Sequence, residues 1–158
     1  MIDPAALDEL IAAARLAPRR RLNRNLHRSF DDPIQRLLNA GEPDSYVRPH
    51  RHAATRWELF AVLRGRIDAV LFADDGTVAQ RIALETPGGM IELPGRTWHS
   101  VVFVESGSVA LEVKPGPYNA ASDKEFAAWA PPEDGSAAAL ACAQWLAAAQ
   151  PGAYWVAP

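Results

Sequence analysis

Residues Tyr46–Gly65 read "YVRPHRHAATRWELFAVLRG". The stretch holds two of the chain's four histidines, a glutamate six residues past the second, and an apolar run closed by glycine. Side chains at i and i+2 of a strand point to one face. His50 and His52 therefore present two imidazoles side by side. Tyr46 and Arg48 join that face if the strand reaches back so far, although Pro49 makes the segment an edge or a bend. Glu58 comes early in the next apolar strand, which is expected to pair back beside the first. A third histidine, His99, follows in "GMIELPGRTWHSVVF". Three imidazoles and one carboxylate form a ligand set for a divalent first-row metal. Histidines one residue apart also occur on plain surfaces, and spacing alone leaves both readings open.

Outward from this stretch, the signal is mainly β. Trp57–Arg64, Ile67–Phe72, Val78–Leu84, Met90–Leu93, Thr97–Val104 and Ser108–Lys114 are short runs rich in β-branched and aromatic residues, separated by turn signals. Asp75-Gly76 is a good hairpin turn between two of them. So many short strands predict a sandwich or barrel over residues 45–118. Before it, Asp3 can cap a helix with Pro4 at its first position and Leu7, Leu10, Ile11 and Ala14 on one face. Residues 18–44 are rich in Arg, Asn, Asp and Pro and read as an extended, irregular arm. After Gly116-Pro117 comes an irregular tail, then a helix from Ser136 to Gln150, so that 119–158 is tail and helix. The 158 residues suit one domain with a sizeable core.

Composition narrows the function. A net charge of -3 counts against a general nucleic-acid binder. The longest apolar run is too short to span a bilayer. The acidic start "MIDPAALDEL" is unlike an export signal, and Cys142 stands alone, so a cytoplasmic protein without disulfides is expected. Cys142 reads as a small buried hydrophobe. The strand Trp57–Arg64 is apolar on both faces, so something covers the outside of the barrel: the N-terminal arm, the C-terminal helix or a second subunit. A homodimer is expected.

At these residues the chain resembles the cupin superfamily. The first cupin motif is matched by His50, His52, Glu58 and Gly65, the second by Gly88 or Gly89, Pro94, Gly95 and His99. Arg96 fills a place where the pattern usually has glycine. The resemblance implies a double-stranded β-helix, or jelly-roll barrel, holding one divalent transition metal (Fe, Zn, Mn or Ni) on His50, His52, Glu58 and His99. The segments "PRRRLNRNLH", "QRLLNAGEPDSYVRPHRH", "WELFAVLRG", "LEVKPGPY" and "DKEFAAWAPPE" look like the WbuC-type cupin metalloproteins, often encoded in bacterial lipopolysaccharide and O-antigen clusters. That likeness implies a small bacterial metal-binding cupin and no established reaction.

Other residues are candidates for the same site. The chain uses two lysines against fourteen arginines, and both lysines, Lys114 and Lys124, fall in "EVKPGPYNAASDK". Lys114 shares a strand face with Glu112. It is expected on the inner wall, its amine pKa lowered by desolvation and a nearby cation so that it acts as a base. Tyr118 is a second proton-moving candidate. Arg48 can fork onto a carboxylate or phosphate, with Tyr46 and His27 as further substrate contacts. Three functions follow: a metal-dependent isomerase or epimerase acting on an anionic or sugar-related small molecule, an iron-dependent dioxygenase, or a non-catalytic binding or sensing module. Fold alone does not choose among them.

Overall fold

The computed structural model describes residues 2–157. Its first element is α1 (Pro4–Leu16), where the Asp3 carboxylate accepts a hydrogen bond from the Ala5 amide at 3.0 Å. Ten strands follow: β1 (Arg21–Asn25), β2 (Ile34–Gly41), β3 (His50–Arg51), β4 (Glu58–Arg64), β5 (Arg66–Phe72), β6 (Val78–Glu85), β7 (Met90–Leu93), β8 (Trp98–Phe103), β9 (Ser108–Pro115) and β10 (Glu125–Phe126). The chain then forms α2 (Ala137–Ala148). The strands build two five-stranded antiparallel sheets, ordered β1-β2-β9-β4-β7 and β10-β3-β8-β5-β6. Facing each other, they make a jelly roll.

Strand alternation sorts the apolar residues into three layers. Between the sheets lie Phe60 and Val62 of β4, Ile67 and Ala69 of β5, Val101 and Phe103 of β8, and Ala110 of β9. The opposite face of β5 sends Val70 and Phe72 outward, where Ala139, Cys142 and Leu146 of α2 cover them together with Trp155. Trp129 of the tail packs on Phe72, with ring centroids 5.0 Å apart. On the other sheet, Leu38, Ala40 and Val109 face Leu7, Leu10, Ile11 and Ala14 of α1. The chain's own two ends therefore cover both outer faces. Arg81 of β6 fastens α2: it donates to the carbonyls of Leu146, Ala147 and Ala149, and pairs with the buried Asp68 at 2.6 Å. That guanidinium supplies a cation that the last turn of α2 lacks.

Two expectations need correction. The stretch 18–44 is not an irregular arm: β1 and β2 lie in it, and β2 pairs with β9 along its whole length. Its asparagines and arginines hid the strands because β1 is an edge with little buried surface. Nor does the strand of Glu58 pair with that of His50. β4 lies in the opposite sheet, between β9 and β7, whereas β3 pairs with β8 and β10. Gly65 makes the sharp β4–β5 connection at φ +67, and a Cβ there would meet Ser108 Oγ at 2.5 Å. Among the described residues, no helix is long and apolar enough to cross a membrane.

Candidate metal centre

His50 on β3 stands directly opposite His99 on β8. His52 follows just past the end of β3, and Glu58 opens β4 in the facing sheet. The two sheets thus converge on one point from both sides. All four residues are buried, and one ligand atom from each lies within 4.8 Å of the others. A single ion with bonds near ~2 Å closes that spread with small side-chain shifts. The loops bearing the two motifs are stitched together: the Arg96 amide donates to the His52 carbonyl at 2.9 Å. Gly95 permits this approach, since a Cβ there would collide with the carbonyl oxygens of Ala53 and Ala54.

Hydrogen bonds fix which ring nitrogens face the centre. The Nδ1 of His50 meets the Arg48 carbonyl at 2.8 Å, that of His99 the Thr97 carbonyl at 2.9 Å, and that of His52 the Asp123 carbonyl at 2.5 Å. A carbonyl only accepts, so each Nδ1 carries the proton and each Nε2 offers a lone pair. His52 Nε2 and His99 Nε2 come within 3.0 Å of the Glu58 carboxylate. These contacts are not aligned as hydrogen bonds, and His52 Nε2, His99 Nε2 and Glu58 Oε2 are buried without a hydrogen-bond partner. Imidazole lone pairs and a carboxylate facing one another repel unless a cation lies between them. The donor set therefore fits a divalent transition metal.

Protonation agrees with that role. Burial, together with the charge of Lys124, holds the His50 pKa well below 6.5 against the pull of Glu58. Burial acts to raise the Glu58 pKa, but the polar groups around it, with the Lys114 ammonium 3.3 Å away, hold it well below 4.5. A neutral imidazole and an ionised carboxylate are the forms that bind metal.

Lys114 lies on the inner wall beside this cluster. Its ammonium is 3.3 Å from Glu58 Oε1, 2.9 Å from Glu112 and 3.4 Å from Asp123. Glu112 also accepts from Asn39 at 2.7 Å, and Asp123 from Arg56 at 2.7 Å. The expected lowering of the Lys114 pKa does not occur. Burial acts downward, but Glu112, Glu58 and Asp123 outweigh it and raise the pKa above its ordinary 10.5. Lys114 is a held cation shared by three carboxylates.

The side chains of the other candidates make their contacts elsewhere. Tyr46 lies in the core against α2, its hydroxyl donating to the Pro131 carbonyl at 2.9 Å, and it does not reach the four ligands. Arg48 is turned to the tail, with its amide on Glu133, its guanidinium on the Ala127 carbonyl and its charge 5.1 Å over the Phe126 ring. His27 and Tyr118 both pack on Phe30, with ring centroids at 6.0 and 5.2 Å. His27 Nδ1 engages the Arg36 backbone, while its Nε2 is buried without a partner. Sequence reasoning missed Arg56, Asn39 and the Asp123 carbonyl. Of these, only Asp123 left a trace, as a carboxylate between the two lysines.

A family model described as "Domain of unknown function (DUF6016)" matches residues 2–84. It includes His50, His52 and Glu58, while His99 lies beyond it. No curated protein matches the chain. Among solved structures, the fold is similar to KdgF from Halomonas sp., with 18% identity and TM-score 0.51 over 65% of this chain and 83% of that one. It is similar to TT1209 from Thermus thermophilus, with 22% identity and TM-score 0.51 over 73% and 95%. A third similar structure is an oxalate oxidase in complex with the substrate analogue glycolate, with 15% identity and TM-score 0.53 over 70% and 56%. At these identities the likeness is one of fold.

Proposed function

The chain belongs to the DUF6016 family, and from that premise we propose that it is a metal-dependent cupin enzyme acting on a small anionic or sugar-related molecule. The observation that carries this reading is the convergence of buried lone pairs, with three imidazoles locked by Nδ1 bonds to carbonyls around one carboxylate. His50, His52, Glu58 and His99 would hold the ion. When bound, it supplies Lewis-acid polarisation of a carbonyl or hydroxyl. Three histidines and one carboxylate leave about two of six octahedral positions for substrate. The surrounding residues orient and protonate: Lys114, as a held cation, fixes the Glu58 carboxylate, and Tyr118 would move a proton in an isomerase- or epimerase-like step. His27, whose Nε2 is buried without a partner, would help bind substrate.

The likeness of "PRRRLNRNLH" and "DKEFAAWAPPE" to WbuC-type proteins supports a bacterial role in surface-polysaccharide metabolism. The same ligand set suits a second reading, an iron-dependent dioxygenase, because open positions beside histidines and a carboxylate also admit dioxygen. Metal analysis of protein purified without a metal-affinity column tests both. Zinc or manganese at one ion per chain supports the isomerase, and iron supports the dioxygenase. Protein that binds none of these when reconstituted sinks the metal reading.

A further inference from the structure

A cavity of about 350 Å³ opens beside the metal centre, bordered by His52, Arg51, Arg96, Lys124, Glu125 and the 53–54 loop. That volume suits a small metabolite. Its charges are unevenly committed. Arg51 is held by Glu125 through two contacts at 2.8 Å and lies 4.3 Å over the Trp98 ring. Among the described residues, Arg96 and Lys124 enter no ion pair, and both are exposed. They flank His52 from its two sides. β10 pairs with β3 as Glu125 with Arg51 and Phe126 with His50, so one further step brings Lys124 opposite His52. From the other side, the Arg96 amide donates to the His52 carbonyl.

Arg96 also carries backbone strain. Its φ is +67, in the left-handed region that glycine occupies freely and other residues adopt at a cost. A glycine would relax this turn, yet an arginine stands there on the rim of a cavity that a metal ligand borders. Strain kept at such a place points to a role for the side chain.

We propose that Arg96 and Lys124 form an oxyanion-anchoring subsite beside the metal centre, which takes the carboxylate or phosphate of the substrate while its reacting end faces the open side of the cluster. This rests on the metal-centre reading and moves the main anion contact from Arg48 to the opposite side of His52. Arg96 supplies a planar fork and Lys124 a point charge.

The test uses inorganic phosphate, titrated into the metal-free protein and followed by 31P NMR. The protein should bind phosphate saturably, and Arg96→Gln and Lys124→Gln should each weaken binding about tenfold, as expected for a lost charge-assisted hydrogen bond. Arg96→Gly should weaken phosphate equally while raising the melting temperature, because the turn relaxes. Arg24→Gln, on β1 where it bonds to Ala6 and Glu9 of α1, should change nothing. Phosphate that does not bind saturably, or binds equally to the Arg96→Gln/Lys124→Gln double variant, overturns the subsite. Cobalt(II) stoichiometry is measured on the same samples. Loss of cobalt binding by the unaltered protein sinks the metal reading instead, so the two failures are told apart.

Discussion

Replacing His99 with alanine separates a metal centre from a merely buried polar cluster. His99 is 2% exposed, and its Nε2 faces Glu58 at 3.0 Å. In the metal-free protein the change removes one buried hydrogen bond, to the Thr97 carbonyl. It also relieves the facing lone pairs, so the net cost should be about 1–3 kcal/mol. At roughly 2–4 °C per kcal/mol for a chain of this size, the melting temperature falls by about 2–12 °C. The metal-bound protein tells more. An ion at about a thousand times its Kd stabilises by about 4 kcal/mol, which is roughly 8–16 °C. That increment should be present in the unaltered protein and absent from His99→Ala. The assay is calorimetry with and without added metal, paired with metal analysis. A variant that keeps one ion per chain and the full increment refutes the assignment of His99 as a ligand. Metal-free protein lacking any cooperative transition refutes the view that the apolar layers stand alone and makes the ion structural.

Lys114→Met leaves Glu58, Glu112 and Asp123 without their shared cation, which should cost about 3–5 kcal/mol; an unchanged urea midpoint would show that these carboxylates do not need it. Arg81→Met should cost less, about 1–3 kcal/mol, because it uncaps α2 but leaves Asp68 paired with Arg66 at 3.1 Å, and combining it with Asp68→Asn should cost less than the sum of the two; strict additivity in thermal melts refutes the coupling. Glu42 bears on pH. Burial acts to raise its pKa, but hydrogen bonds from Ser106, Arg15 and the Gly107 amide outweigh it and bring it below 4.5. A carboxylate lowered on folding contributes stability that is fully present above its unfolded value and is lost as pH falls through the folded one. The melting gap between the unaltered protein and Glu42→Gln should therefore be constant at neutral pH and close below pH 4.5; a gap that survives in strong acid counts against Glu42 as its source.

The candidate ligands were legible because strand alternation and motif spacing are local properties. Spacing alone left the surface reading open, and it was the resemblance to the two cupin motifs that joined His50, His52, Glu58 and His99 into one set. The six central strands were legible for the same reason, each being an apolar run with a turn at its end. What stayed hidden was set by neighbours distant in sequence. β1 lacked an apolar face because it is an edge strand, so its pattern matched that of a loop. The sheet that Glu58 joins depends on β9, which the first motif cannot reveal. Lys114 was placed on the correct wall by alternation. Its charge state depended on Asp123 and Glu58, which no periodicity connects to it. Tyr46 shared a predicted face with His50, but Pro49 breaks the strand between them, and the ring turns toward α2.

The carbonyl that orients His52 belongs to Asp123, 71 residues farther along the chain. During synthesis the three histidines and Glu58 leave the ribosome well before that carbonyl does. Until it docks, with Arg56 clamping its side chain, the His52 ring is free to turn and to offer either nitrogen. A chain that ends before Asp123 would lack the carbonyl that orients His52, so the segment after β9 completes a donor set whose four residues all precede it.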